Sequence, residues 1–241
     1  MDHVSIDELN AQFDGAAPET IIAWAADRFM PRLAATSSFQ TQSVALLHLI
    51  GQVRPDLPVI FLDTGYHFPE TLAYRDQLVA QFGLTLRIVR PAANATSGAR
   101  AGGDALYRRD PDLCCYVNKV EPMQRALAGL DAWISGIRRD QTAARAAIRT
   151  VEALPDGRLK INPLAAWTRE DLWRYIHAHN LPAHPLFSQG YLSVGCAPCT
   201  SPVTRDQDER AGRWSGTGKT ECGLHTPALQ PPRDRDEEPG P

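Results

Sequence analysis

The stretch LAATSSFQTQS, residues 33–43, decides the fold that this sequence predicts. Leu33–Thr36 is a short apolar strand that breaks into a turn rich in serine, threonine and glutamine, and an apolar helical pattern follows over residues 44–50. A strand, a hydroxyl-rich turn and a helix together present backbone N–H groups and a helix N-terminus to a phosphate. Taken alone, such a turn is more often an ordinary βα connection with serine or threonine caps.

Two further strands follow in the same alternation. Pro58–Leu62 is a second buried strand that ends in Asp63-Thr64-Gly65. A helix from about Pro69 to Phe82 leads to a third strand, Leu84 to Val89. Strands and helices that alternate at this spacing predict an α/β fold with a parallel sheet and right-handed crossovers. Ligands of such open sheets bind in the loops at the carboxyl ends of the strands.

A fourth strand, Ala132–Gly136, leads to an arginine pair. Arg138 and Arg139 follow at its carboxyl end, with Arg145 close behind. Two neighbouring arginines can clamp phosphate or sulfate oxygens in bidentate fashion. A solvated surface pair is the alternative explanation of the same pattern.

Helices and a hairpin complete the expected pattern. Residues 5–30 are predicted to hold two helices, the first capped by Asp7 and the second beginning at Pro18. Residues 147–162 are typical of a hairpin. An amphipathic helix is expected to start at Thr168.

Composition limits the class of protein. Of the 241 residues, 43% are hydrophobic and 22% charged, which is ordinary for a globular protein, and the formal net charge is −3. The acidic balance argues against a general nucleic-acid binder, so an anion site must be a local cluster of arginine and lysine. The first thirty residues hold no basic, apolar leader, and no window resembles a membrane span. We therefore expect a cytoplasmic protein whose thiols are reduced.

Four of the five cysteines form two groups. Cys114 and Cys115 are adjacent, and Cys196 and Cys199 form a C-x-x-C turn that directs two thiolates at one centre. Structural zinc sites draw their ligands from spaced knuckles, whereas adjacent cysteines can reach different irons of a cuboidal cluster. The pattern therefore favours a 4Fe–4S cluster over zinc, and four buried cysteines without metal are the remaining alternative.

The fifth cysteine, Cys222, stands apart near the end of the chain. Lys219 and His225 are close to it in sequence, and cationic neighbours favour the thiolate form. Gly216 and Gly218 precede it, as in a segment that closes over a site and reopens. Considered alone, Cys222 would be an incidental thiol of the tail. A nucleophile that meets first a substrate and then a reductant needs such a mobile segment.

Several motifs taken together resemble the assimilatory sulfonucleotide reductases. The resemblance covers about residues 20–226 and is closest to the iron–sulfur branch, the thioredoxin-dependent adenosine 5′-phosphosulfate (APS) reductases. The Cys-Cys and C-x-x-C motifs distinguish that branch from the cluster-free 3′-phospho-APS (PAPS) reductases. The motifs are Ser37-Ser38-Phe39, Leu62-Asp63-Thr64-Gly65, Cys114-Cys115, Lys119-Val120, Gly136-x-Arg138-Arg139, GYLSVGCAPCT at 190–200 and ECGLH at 221–225.

This resemblance implies a PP-loop adenine-nucleotide α-hydrolase-like fold, which is Rossmann-like, and a 4Fe–4S cluster on the four grouped cysteines. Cys222 would attack the substrate sulfur, giving an S-sulfocysteine and releasing AMP. Thioredoxin, or glutaredoxin, would then free sulfite for sulfate assimilation and cysteine biosynthesis. The implied substrate-binding residues are Ser37, Ser38, Asp63, Thr64, Gly65, Lys119, Arg138, Arg139, Arg210, Arg213 and His225.

The implied domain organisation has three parts. Residues 1–200 would form the PP-loop-like domain with the cluster site, residues 201–226 a mobile catalytic segment, and residues 227–241 a disordered tail. A mobile loop is also expected from Pro91 to Asp110, where Ala, Gly, Asn and Ser dominate. The expected partners are the reductant and APS, and neither nucleic acid nor a membrane is expected. A monomer and a homo-oligomer are both compatible with the sequence.

Three other functions compete with APS reduction. Residues 66–71 and 120–123 look more like the cluster-free enzymes, which keeps PAPS reduction as the nearest alternative. In the phosphate turn, Gln40-Thr41-Gln42 also departs from many relatives. A PP-loop ATP pyrophosphatase would need an S-G-G-x-D-S-type loop and a basic surface, and neither is present. An iron–sulfur or zinc sensor would leave Cys222 and the glycines before it unexplained.

Overall fold

The computed structural model describes residues 5–92, 105–204, 206–217, 219, 221, 223 and 224. Its strands in chain order are β1 (Leu33–Thr36), β2 (Pro58–Leu62), β3 (Thr85–Val89), β4 (Ala132–Ile134), β5 (Val151–Ala153) and β6 (Leu159–Ile161). They form one sheet in the order β3-β2-β1-β4-β6-β5. The neighbours pair in parallel except β5, which runs antiparallel to β6 at the edge. The predicted α/β fold is therefore confirmed.

Helices cover both faces of this sheet. They are α1 (Ile6–Gln12), α2 (Pro18–Phe29), α3 (Val44–Val53), α4 (Pro69–Phe82), α5 (Leu106–Arg109), α6 (Pro111–Cys115), α7 (Glu121–Leu127) and α8 (Arg169–Ala178). One π-helical turn, Tyr116–Val120, joins α6 to α7. Within the described chain, no helix is both long and apolar enough to cross a membrane.

The cap predicted for α1 is wrong by two residues. Ser5 caps the helix: its Oγ accepts from the Glu8 backbone N–H at 3.2 Å, and Glu8 Oε2 accepts from the Ser5 N–H at 2.7 Å. This reciprocal capping box satisfies two N–H groups that the first turn leaves without partners. Asp7 instead lies inside the first turn and pairs with Arg149 at 2.7 Å.

Alternate residues of the central strands pack on opposite faces. Leu33 and Ala35 of β1 join the large apolar cluster with α2, α3, α4 and α8. Ala34 between them joins a smaller cluster, in which Trp133 of β4 packs with residues of α7. Both faces are therefore buried, as parallel sheets require.

The order of the strands creates a crevice between β1 and β4. From β1 the chain moves to β2 and β3 on one side, and later returns to β4 on the other side. Doubly wound sheets bind ligands where the winding direction changes, beyond the carboxyl ends of the strands. This is where the phosphate-type turn of residues 37–43 begins.

The loop expected from Pro91 to Asp110 is partly wrong. Its last residues form α5, and Pro111–Cys115 continue as α6, with Asp110 capping that helix through bonds to the N–H groups of Asp112 and Leu113. Residues 93–104 lie outside the described part, as do Cys222, His225 and the expected tail.

Candidate active site

A cavity of about 160 Å³ opens at the carboxyl ends of β1 and β4. Thr36, Ser37 and Ser38 line it from the turn after β1, and Gly136 and Ile137 line it from the segment after β4. Residues distant in sequence complete the wall, because the π-helical turn and the C-terminal segment also reach it. The cavity therefore occupies the crevice that the strand order predicts.

The turn after β1 is held by backbone contacts and one buried ring. The Ser37 N–H donates to the Ile60 carbonyl at 3.1 Å and so prolongs the β1–β2 pairing. Phe39 adopts a φ of 50°, which is uncommon for a residue with a side chain, and its N–H donates to Ser37 Oγ at 3.1 Å. The Phe39 ring is fully buried against Phe61, with 5.6 Å between ring centroids. These contacts leave Ser37 and Ser38 on the cavity wall.

The N-terminus of α3 begins beside the cavity. Gln42, Ser43 and Leu46 line the wall, and no side chain caps this helix. The 3₁₀ turn Thr41–Ser43 leads directly into α3, where the Val44 N–H donates to the Thr41 carbonyl, and the helix dipole makes this end of the segment positive. A phosphate or sulfate group suits such a position.

Four cationic side chains and one carboxylate line the cavity among the residues that the structure describes. The cations are Lys119, Arg145, Arg210 and Arg213, and the carboxylate is Glu221. The chain as a whole carries a net charge of −3, so this concentration of positive charge is local. A local cationic cluster is what the sequence composition requires of an anion site.

Arg138 and Arg139, predicted to clamp the anion, lie behind the cavity wall. Arg138 is 2% exposed, and its guanidinium donates to Asp140 Oδ1 and to Gln42 Oε1, each at 2.9 Å. Arg139 is exposed, and its Nε donates to the Ile148 carbonyl at 2.8 Å. Arg138 thereby braces the turn after β1 through Gln42. The direct role predicted for both arginines stays a prediction.

Asp63, Thr64 and Gly65 also lie off the main cavity wall. Asp63 accepts from the Gly65 N–H at 3.1 Å and pairs with Arg90 at 2.9 Å. Thr64 is buried, and its Oγ1 lies 3.4 Å from Cys196 Sγ. The turn after β2 therefore faces the cysteines.

The four grouped cysteines line one small cavity next to the first. Cys114, Cys115 and Cys196 are buried, and Cys199 is partly exposed. Burial and the neighbouring thiols raise the pKa of Cys114 to about 12, and burial likewise raises the pKa of Cys199. The structure thus brings the two cysteine motifs together. Among the described residues, no three Cys, His, Asp or Glu side chains converge as a single metal ion requires.

Local structure explains how the cysteines meet. Cys114 and Cys115 end α6, where consecutive side chains point about 100° apart around the helix axis. The C-x-x-C turn is held by an antiparallel bridge between His67 and Cys196 and by the Ala197 N–H, which donates to the Tyr66 carbonyl at 2.7 Å.

Within the described part of the chain, two residues line both cavities. Lys119 comes from the π-helical turn after the cysteine pair, and Trp214 from the C-terminal segment. The Arg213 guanidinium carbon lies 4.6 Å from the Trp214 ring centroid. The cationic wall of the first cavity is therefore continuous with the cysteine site.

Two described residues on either side of Cys222 line the first cavity. They are Glu221 and Leu224. Lys219, expected to favour a thiolate at Cys222, instead forms an ion pair with Asp112 of α6. Cys222 and His225 themselves lie outside the described residues.

Sequence reasoning missed several residues of the cavity wall. Gln40 Oε1 accepts from the Val194 N–H at 3.2 Å and so joins the turn after β1 to the GCAPCT segment. His67 lines the wall, where its Nε2 lies 2.9 Å from the Leu62 carbonyl. The sequence pattern marks Arg145 only as a neighbour of the arginine pair, and spacing alone offers no sign that His67 turns inward. The missed residues are Gln40, Gln42, His67, Thr71, Gln141, Arg145 and Glu221.

The doubly wound sheet and its cation-lined cavity define an α/β protein of the PP-loop, Rossmann-like fold class. Residues 32–202 match the family model of the phosphoadenosine phosphosulfate reductase domain. The chain belongs to this family, the sulfonucleotide reductases.

Relatives of known name match most of the chain. An adenosine 5′-phosphosulfate reductase of Chelativorans sp. (strain BNC1) is 46% identical over 226 residues, which cover 92% of this chain and 91% of the relative. A phosphoadenosine 5′-phosphosulfate reductase of Gloeobacter violaceus is 43% identical and covers 93% of this chain and 95% of its own length. Relatives with both substrate names thus have nearly equal identity.

Solved structures agree on the fold. A phosphoadenylyl-sulfate (PAPS) reductase of Candida auris, crystallised as a phosphate complex, matches with a TM-score of 0.71 and 32% identity. The match covers 84% of this chain and 98% of that one. An FMN adenylyltransferase of Candida glabrata matches with a TM-score of 0.57 and 14% identity, covering 97% of this chain and 82% of that one, and shares the fold alone.

Proposed function

We propose that this chain reduces adenosine 5′-phosphosulfate to sulfite and AMP in sulfate assimilation. One observation carries the proposal: Glu221 and Leu224, on either side of Cys222, line a cation-rich cavity that shares Lys119 with the four-cysteine site. In this proposal the binding site of the anionic nucleotide, the nucleophilic thiol of Cys222 and the four metal-binding cysteines form one active centre. The relatives named as adenosine 5′-phosphosulfate reductases support the choice of nucleotide.

The phosphosulfate of the substrate would lie between two sources of positive potential. On one side are the Ser37–Ser38 turn and the uncapped N-terminus of α3. On the other are Lys119, Arg210 and Arg213. Asp63, Gly65, Arg138 and Arg139 would support this wall from behind, and His225 would complete it. Cations and dipoles fixed around the leaving phosphate lower the barrier to its departure.

The reaction proceeds in two balanced steps. The Cys222 thiolate attacks the sulfur of the substrate: an S–S bond forms, the S–O bond to the phosphate breaks, and AMP leaves with the electron pair of that bond. A dithiol of the thioredoxin class then attacks the Cys222 sulfur and releases sulfite. The dithiol becomes a disulfide as it supplies two electrons, and Cys222 returns to the thiol. Covalent catalysis thus divides one difficult reduction into two displacements.

Residues 201–226 would act as the catalytic segment of this cycle. Cys222 must meet the nucleotide inside the cavity and later the larger dithiol protein. A segment that closes for the first step and opens for the second serves both needs.

A 4Fe–4S cluster bound by Cys114, Cys115, Cys196 and Cys199 completes the proposal. The fit rests on the donor set: among the described residues, the small cavity is lined by four thiols, three of them buried, and by no histidine or carboxylate. Burial raises the pKa of Cys114, so its thiolate needs a cationic partner such as iron. When bound, the cluster supplies a charged, polarisable centre beside Lys119, while Cys222 stays outside its ligand set.

The test incubates anaerobically purified protein with APS or PAPS and reduced thioredoxin, and measures sulfite and AMP. We expect equimolar sulfite and AMP from APS, with a lower kcat/KM for PAPS. A higher kcat/KM for PAPS would instead favour the second candidate, PAPS reduction by the same chemistry, which the Gloeobacter relative supports. Binding of both nucleotides without sulfite from either would refute the proposal.

A further inference from the structure

Glu221 is the carboxylate inside the cation-lined cavity. Its Oε2 accepts from Arg145 Nη2 at 2.8 Å and from Arg210 Nη2 at 3.3 Å, and its Oε1 accepts from Thr142 Oγ1 at 3.3 Å. The side chains of Glu221, Arg145 and Arg210 are only 16%, 9% and 19% exposed. Ion pairs shielded in this way are screened less by salt than surface pairs, and they hold a defined geometry.

A second anchor, Leu224, follows three residues after Glu221. Leu224 packs against the apolar cluster that contains Val120, Met123 and Trp133. Gly223 has a φ of 83°, and a Cβ atom there would lie 3.4 Å from Val120 Cγ2, so the backbone passes close to the π-helical turn. A charged anchor and an apolar anchor therefore flank the position of Cys222 in the sequence.

Arg145 retains a donor for a second anion while it holds Glu221. Its Nη2 serves Glu221 and its Nη1 donates to Gln141. Its Nε is buried and has no hydrogen-bond partner in the described part of the chain. A buried donor without a partner costs free energy, which an incoming anion would recover. Because guanidinium groups present several donors in a fixed fork, one arginine can hold a carboxylate and an oxyanion together.

We infer that Glu221 is a positioning residue: it ties the Cys222 segment to the arginines that bind the anionic nucleotide. This inference rests on the proposed function and deepens it. The same guanidinium groups then hold both the nucleotide, which carries the electrophilic sulfur, and the segment that carries Cys222. The position of the attacking sulfur is thereby fixed relative to its target. A misplacement of about 1 Å in such an arrangement costs roughly 100-fold in rate.

The alternative role for Glu221 is that of a competitor, an internal anion that the substrate must displace. The two roles predict opposite effects for Glu221→Gln, which keeps the shape and removes the charge. A lost positioning contact slows sulfur attack and leaves nucleotide binding almost unchanged. A lost competitor tightens nucleotide binding.

The experiment compares anaerobic iron-loaded wild type, Glu221→Gln, Glu221→Asp and the control Glu170→Gln. Glu170 is 85% exposed and forms an ion pair with Arg174 on α8. Glu170→Gln therefore makes the same change of carboxylate to amide at a site away from the cavity. APS is added without reductant, and the sulfonate adduct on the Cys222 peptide and AMP are followed in a single turnover. The Kd for APS is measured by calorimetry in a Cys222→Ser background, with and without Glu221→Gln.

We expect adduct formation to fall about 10- to 100-fold in Glu221→Gln, to be partly restored in Glu221→Asp, and to be unchanged in Glu170→Gln. The Kd for APS should change less than about threefold. Iron content and circular dichroism check that each variant is folded. If Glu221→Gln does not fold, the rate of adduct formation in Glu221→Asp tests the positioning role, and a rate between that of wild type and a loss of about 100-fold supports it.

The outcomes separate this inference from the proposed function. No adduct in wild type would refute the proposed function. A wild-type adduct with an equal rate in Glu221→Gln would overturn the positioning role alone. Tighter APS binding at an unchanged rate would likewise overturn it and make Glu221 a competitor.

Discussion

The backbones of His67 and Cys196 pair as an antiparallel β-bridge. His67 lines the cation-rich cavity, and Cys196 lines the cysteine cavity. Thr64 strengthens the junction, because its Oγ1 lies 3.4 Å from Cys196 Sγ. The turn after β2 therefore connects the two cavities, and a substitution at the cysteines should change the affinity for the nucleotide.

The first prediction concerns metal content. Anaerobically purified protein should contain about four irons per chain and little zinc. Cys196→Ala should lose most of the iron and, through the bridge to His67, bind AMP several-fold more weakly. Metal analysis and calorimetry measure the two effects, with Cys222→Ser as the control that keeps its iron. Stoichiometric zinc without iron would contradict the cluster assignment.

The second prediction concerns Cys222. Cys222→Ser should keep its iron and its nucleotide affinity but form no sulfite, because loss of a nucleophile affects the chemical step rather than binding. Wild type given APS without reductant should gain the mass of one sulfonate on the peptide that contains Cys222, and reduced thioredoxin should remove it. An adduct on Cys196 or Cys199, or wild-type turnover in Cys222→Ser, would show that the assignment of Cys222 as nucleophile and of the other four cysteines as metal ligands is wrong.

The third prediction compares two arginines that follow β4. Arg145 is buried on the cavity wall, whereas Arg139 is exposed and bonds the Ile148 carbonyl. Arg145→Ala should weaken binding of AMP by about 10- to 100-fold, the range expected for a lost charge-assisted hydrogen bond. Arg139→Ala should change the Kd for AMP less than about threefold. A large loss in Arg139→Ala would instead support the direct clamp suggested by sequence.

The contrast between these arginines shows where sequence reasoning stops. The strands and longer helices could be predicted because each buries a face of regular period: β1 sends Leu33 and Ala35 to one cluster and Ala34 to the other. Residues 139–145 form short 3₁₀ turns, in which no period fixes the direction of a side chain. The presence of several arginines after β4 therefore indicated an anion site, but the sequence did not show which of these arginines faces it.

The cysteine site and the Glu221 contacts differ for the same reason. Adjacent cysteines and a C-x-x-C turn each restrict the local geometry of one thiol pair, and the need of a metal centre for four ligands is what suggested that the two pairs share one site. Glu221 meets Arg145 only because the C-terminal segment folds back on the segment after β4. Such a tertiary contact leaves no periodic trace in the sequence.

The last prediction concerns pH and His184. This buried imidazole lies 3.0 Å from Thr71 Oγ1 through Nε2, and its Nδ1 accepts from the Leu186 N–H at 3.2 Å. Burial lowers the pKa of His184 to about 4, from 6.5, so the folded state disfavours the proton that the unfolded chain binds. The neutral His184 therefore contributes fully to the stability of the folded state above pH 6.5, and this contribution is lost as the pH falls towards 4. His184→Gln should be less stable at pH 7.5, and its deficit should shrink at pH 5. Thermal unfolding at both values under anaerobic conditions measures this, and a constant deficit would contradict it.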